Sequence, residues 1–175
     1  MAEVATKSAY YDMAGRLKKL GFREADDIIC RWRKGGIILD VMPTEANVLG
    51  FANRWYPLAA KTALEKLLPN GLIVRHVSPP LFIATKIESF YSRGAGDFLH
   101  HDIEDILNVV DGRPELIDET RLAPANVRAF IQEEIDDMLA QPEFTERVPW
   151  HLRPDRLEQE RAQLVLHRLR QLAGL

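Results

Sequence analysis

Three groups of residues in this 175-residue sequence are of types that could do chemistry. Asp40 stands inside the apolar run Ile37-Ile38-Leu39-Asp40-Val41-Met42, where a strand interior disfavours aspartate and its desolvation must be offset by a partner. If Gly35-Gly36 is a two-residue hairpin turn, Arg31 lies directly opposite Asp40, so a cross-strand ion pair is one reading and a metal-binding carboxylate is the other. Lys86, Ser89 and Arg93 recur at three- and four-residue steps, so they share one helix face. That face could hold phosphate oxygens or could be an ordinary solvated basic surface. The segment His100-His101-Asp102-Ile103-Glu104-Asp105 puts Asp102 and Asp105 on one face of a helix start. The helix macrodipole by itself favours carboxylates there.

Other constellations fail their context. The adjacent histidines point in different directions and the one cysteine is remote, which argues against structural zinc. Gly94-Ala95-Gly96 follows a helix, whereas a dinucleotide-binding loop follows a strand. Cys30 shares a strand face with Ile28 and Trp32, so it reads as core, not as a nucleophile. Glu133, Glu134, Asp136 and Asp137 surround Ile131, Ile135 and Met138 as the solvated face of an amphipathic helix.

These residues need elements to position them. Ser8 could cap a first helix whose Tyr10, Met13, Ala14, Leu17 and Leu20 share a face and which Gly21 stops. Ile28 to Arg33 and Ile37 to Met42 read as a hairpin, and Leu72 to Val77 as a further strand of the same sheet. The stretch from Thr44 to Lys61 has no clear period and is read as irregular with at most a short helix. Beyond it Ser78-Pro79 opens a helix carrying Ile83, Ala84, Ile87, Phe90 and Tyr91 inward. Further helices are expected over 97–110, 124–140 and 154–172, the last with Ala162, Val165, Leu166, Leu169 and Leu172 on one stripe. The fold class is therefore α/β (α+β): a small mixed, mostly antiparallel sheet followed by a helical C-terminal half. The length predicts one domain, with a sheet region over 1–77 and a helical region over 78–175.

Composition limits the function. With 23 basic and 26 acidic side chains and a net charge of −3, the chain lacks the overall basic excess of a dedicated nucleic-acid binder. Apolar residues at 46% and charged ones at 28% fit a globular protein, and no apolar run approaches the roughly 20 residues of a membrane span. A single cysteine and no apolar leader in the first seven residues predict a cytoplasmic protein.

Four segments taken in order carry a resemblance: Ile38-Leu39-Asp40-Val41-Met42-Pro43, Gly50-Phe51-Ala52-Asn53-Arg54-Trp55-Tyr56-Pro57, Leu81 to Phe90, and His101 to Ile106. Together they resemble the nucleotidyltransferase-fold proteins of the AbiEii/AbiGii toxin type, within the DNA polymerase β-like superfamily, over about residues 3–152. The resemblance implies metal-dependent transfer of a nucleotidyl group from a nucleoside triphosphate to an acceptor such as tRNA, with Mg²⁺ and an antitoxin partner. It makes Asp40 a metal-binding and catalytic carboxylate, Lys86 and Arg93 phosphate contacts, Asp105 the base or orienter of the acceptor hydroxyl, and Asp102 its neighbour at the nucleotide. Arg54, Trp55 and Tyr56 are read either as a stacking lip or as core.

The sequence departs from that pattern ahead of Asp40, where such enzymes carry a Gly-Gly or Gly-Ser loop and an Asp-x-Asp pair. The only candidates before Asp40, Gly35-Gly36 in a hairpin and Asp26-Asp27 in a loop, stand in the wrong order and setting. Residues 1–6 resemble the tail of the strand that would carry the pair, so the chain is expected to begin just after it. Two-metal phosphoryl transfer needs several carboxylates, and the chain as given is therefore expected to transfer no nucleotide and to bind no Mg²⁺. An open sheet edge predicts a homo-oligomer. The alternative function is a non-catalytic interaction protein that docks an antitoxin or other partner through its helical half, with Val165, Leu169 and Leu172 as the docking stripe.

Overall fold

The computed structural model describes residues 5–152 and 158–175. Of the expected strand tail over residues 1–6, the first four residues lie outside them and Thr6 caps a helix; the expected helix start at Pro154 also lies outside them. The chain divides into two compact units, Met1–Val77 and Ser78–Leu175, at the position where the sequence pattern turns helical. Among the described residues no helix is long and apolar enough to cross a membrane.

The first unit opens with α1 (Lys7–Lys19). Its cap is Thr6, not Ser8: the Thr6 hydroxyl accepts the Ala9 N–H at 3.1 Å, which satisfies one of the free N–H groups of the first turn. Gly21, at φ 83°, ends the helix as expected. Its N–H reaches the Lys18 carbonyl and the Phe22 N–H reaches Leu17, the paired bonds of a Schellman stop. Leu20, expected inward, is exposed because this turn rotates it past the buried face. Ala14 and Leu17 pack on Trp32, with Met13, Phe22 and Val41 around them.

Beneath α1 lies an antiparallel sheet of β1 (Arg23–Glu24), β2 (Arg31–Lys34) and β3 (Ile37–Asp40), in that order. The hairpin turns at Gly35-Gly36, with Gly35 at φ 56°, and pairs Arg31 with Asp40 and Lys34 with Ile37. Ile28 to Cys30 does not extend β2, since the Arg31 N–H folds back on the Ile28 carbonyl. Cys30 is buried as expected, but it lies in the turn ahead of β2 and not on a strand face shared with Ile28, which is exposed. The stretch read as irregular contains α2 (Ala46–Leu49) and α3 (Tyr56–Lys61), and Trp55 is buried at the start of α3. The strand expected near Leu72 is present as β5 (Ile73–His76), but it pairs antiparallel with β4 (Leu64–Leu67) in a second, separate sheet. Asn70 and Gly71 make the turn, the Asn70 side chain accepting the Leu72 N–H and Gly71 standing at φ 81°.

The second unit is helical: α4 (Pro79–Arg93), α5 (His101–Gly112), α6 (Leu116–Leu122), α7 (Ala125–Leu139), α8 (Pro142–Arg147), a 3₁₀ turn (Val148–His151) and α9 (Glu158–Ala173). Ser78 takes the N-cap backbone position of α4 without a side-chain bond, and Pro79 and Pro80 occupy its first turn, where a missing N–H costs nothing. Leu81, Ile83, Ala84, Ile87 and Phe90 are buried, while Tyr91, expected inward, is half exposed. Helix α5 starts at His101 and ends at Gly112, a few residues later at each end than the expected 97–110. Val165, Leu169 and Leu172 are at most 3% exposed and α9 packs on α5, α6 and α7. The stripe considered as a docking surface is therefore part of this unit's own core, because its apolar face has three helices to cover it.

Candidate functional site

Helix spacing puts Lys86 and Arg93 two turns apart on α4, and Asp102 and Asp105 one turn apart at the start of α5. The packing of α4 against α5 brings the four together. Arg93 donates from Nε to Asp102 Oδ2 and from Nη2 to Oδ1, both at 2.8 Å, the two-bond fork that guanidinium geometry favours. Lys86 Nζ donates to the same Oδ1 at 3.1 Å and also pairs with Asp105. The Asp102 side chain is fully buried, whereas Asp105 is 40% exposed and Lys86 20%.

Burial by itself would raise the Asp102 carboxyl pKa. The bonds and charges of Arg93 and Lys86 outweigh it and hold the group below its ordinary value. Burial likewise pulls the Lys86 ammonium down, and the bonds and charges of Asp105 and Asp102 push it above the usual lysine range. Asp102 and Lys86 therefore both stay ionised at neutral pH.

His100 is a neighbour of Asp102 whose contact spacing did not reveal. It caps α5, its Nδ1 accepting the Asp102 N–H at 3.2 Å, so that nitrogen carries a lone pair and not a proton. Desolvation, then the adjacent His101, holds its pKa below the ordinary histidine value. The far end of α5 is tied to α9: Arg161 Nε donates to Asp111 at 2.7 Å and Arg168 Nη1 to the Val110 carbonyl at 2.9 Å. Helix α5 thus carries its acids on a rod held at both ends, and only the helix packing could show this.

Asp40 belongs to the first unit and takes the ion-pair reading. Arg31 Nε and Nη2 donate to its two carboxylate oxygens, each at 2.8 Å, as their opposed register requires. The Mg²⁺ role that the resemblance implies for Asp40 does not fit this geometry, because a guanidinium fork occupies both oxygens and a second carboxylate ligand is needed beside them. His100, His101 and Asp102 offer ligand atoms within 4.8 Å of one another. A cation there would sit against Lys86 and Arg93, whose N–H groups already hold the Asp102 oxygens. Trp55 is core, with the Arg54 guanidinium 5.1 Å from its ring centre, so the stacking lip is not formed by this tryptophan.

Comparison with models of protein families, with curated proteins and with solved structures finds no match.

Proposed function

We propose that this chain is a nucleotidyltransferase-like protein of the AbiEii/AbiGii toxin type, whose helical unit supplies the phosphate- and acceptor-facing part of a site for nucleotidyl transfer from a nucleoside triphosphate to an RNA acceptor such as tRNA. The observation that carries this reading is the Lys86 bridge between Asp102 and Asp105. A buried carboxylate fixes Lys86 at the middle of α4 and Arg93 at its C-terminal end, and a second, half-exposed carboxylate stands beside the lysine. In that arrangement Lys86 and Arg93 face phosphate oxygens, Asp102 orients both cations, and Asp105 accepts a proton from the acceptor hydroxyl. Mg²⁺ would neutralise the triphosphate, and its carboxylate ligands would be residues other than Asp40, whose two oxygens Arg31 holds. The present chain on its own is expected to transfer no nucleotide.

The test is incorporation of labelled nucleotide into tRNA by a gene product that also carries an upstream Asp-x-Asp segment. The expected result is transfer that Lys86→Ala and Asp105→Asn each abolish. Full activity in both variants would overturn the role assignment.

A second reading, a non-catalytic interaction protein that binds an antitoxin, is favoured by the apolar side chains left exposed on the small sheets, Ile37 and Ile38 on β3 and Leu67 and Ile73 on β4 and β5. On this reading no upstream segment restores transfer, and a strand-forming partner protects the β3 amides from hydrogen exchange.

A further inference from the structure

The helical unit contains a cavity that the proposed function does not use. About 260 Å³ in volume, it lies between α6, α7 and the end of α9. Acidic side chains outnumber basic ones in residues 78–175, yet the lining holds two arginines, Arg121 and Arg128, two glutamines, Gln132 and Gln171, and no acidic side chain; the one anionic group among its residues is the α-carboxylate of Leu175, which leaves the lining net positive. Arg128 commits one N–H to the Arg121 carbonyl at 3.0 Å, which fixes the guanidinium and leaves the rest of its fork for the cavity. Arg121 is tethered from the rim by Asp118 at 2.9 Å.

The chain turn that ends α9 helps build the wall. Gly174 stands at φ 83°, and a Cβ there would meet Gln132 Nε2 at 3.3 Å, so glycine lets the Gln132 amide lie close against the backbone. The Gly174 N–H bonds back to the Gln171 carbonyl.

We propose that this cavity binds a phosphate monoester. Guanidinium groups from α6 and α7 and side-chain amides from α7 and α9 line the cavity, and donors carried by three helices match a tetrahedral oxyanion, which accepts bonds from several directions, better than a planar carboxylate, which one fork satisfies. The volume lies near the lower bound of ligand pockets and admits the phosphate with a small organic group, for which Ile117 and Leu172 supply apolar wall. The phosphate could belong to a free metabolite or to the 5′ end of an RNA strand. This inference is independent of the Lys86 network, and its readout is binding, not transfer.

The experiment is calorimetric titration of the full chain with ribose 5-phosphate, inorganic phosphate, acetate, and one RNA oligonucleotide with and without a 5′-phosphate. Ribose 5-phosphate is expected to bind saturably, to be displaced by inorganic phosphate and to weaken with salt. Arg128→Ala should lose roughly tenfold or more in affinity and Arg128→Lys less, as for removal of a charge-assisted bond. Tighter binding of the phosphorylated RNA than of its dephosphorylated form assigns the site to a strand end, and binding of ribose 5-phosphate alone assigns it to a small metabolite. No binding of any phosphate in the millimolar range, equal binding of acetate, or unchanged binding in a folded Arg128→Lys and a folded Gln171→Leu protein would overturn the proposal.

Discussion

Arg93, the last residue of α4, closes a two-bond fork on Asp102 in the first turn of α5, and Asp102 is fully buried beneath it. The fork and the Lys86 bond together tie α4 to α5, and they do so with charges whose removal is costly.

Asp102→Asn keeps the shape but leaves Lys86 and Arg93 facing a neutral amide. Because the carboxylate is buried while its partners keep some solvent, the expected loss is about 2–3 kcal/mol, below the full cost of breaking a sealed pair. Urea unfolding measures it, and a loss no larger than that of an exposed substitution such as Glu104→Gln would show that the network contributes nothing to stability.

The same carboxyl makes stability depend on pH. Its folded pKa lies below the ordinary value of 3.8, so its contribution is present above that value and is lost as the pH falls through the folded pKa. Thermal unfolding followed from pH 5 downward should fall more steeply for the native chain than for Asp102→Asn, and parallel curves would contradict this.

His100 acts in a higher window. Its folded pKa lies below 6.5, so the unfolded chain takes up the proton first and stability declines as the pH drops below about 6.5. His100→Asn keeps a capping side chain and should flatten this decline. Proton NMR of the two imidazoles should show His100 titrating below pH 6.5.

In α9, Leu169 is fully buried, so Leu169→Ala should cost about 2–5 kcal/mol through lost contacts and the cavity left behind. Leu164→Ala, at a 44% exposed position of the same helix, should cost far less. Similar losses for both would mean that the stripe does not pack as described.

At the edge of the three-stranded sheet, β3 leaves Ile37 and Ile38 more than half exposed. Concentrated protein is expected to self-associate through this edge, and Ile38→Lys should shift it to monomer, as charge on an edge strand does. Light scattering over a concentration series gives the answer; a native chain that stays monomeric contradicts it.

Local chemistry was enough for several of these features. The pairing of Arg31 with Asp40 follows from the sequence alone, because a two-residue glycine turn fixes the register and the register fixes which side chains face each other. The Schellman stop at Gly21 and the buried face of α4 are legible for the same reason: each depends on residues a few positions apart. Thr6 displaced Ser8 as cap because both are good capping residues and only the backbone angle chooses between them. Leu64–Leu67 escaped notice as a strand because Leu-Glu-Lys-Leu has neither β-branched residues nor alternation, and its pairing with Ile73–His76 is made across the Asn70-Gly71 turn. The spacing of Lys86 and Arg93, and of Asp102 and Asp105, was visible on each helix separately. That the two pairs meet, that Asp102 is the buried member, and that α9 holds the far end of α5 were decided by how the helices pack, because contact between separate helices depends on side-chain volumes along both partners and no local period encodes it.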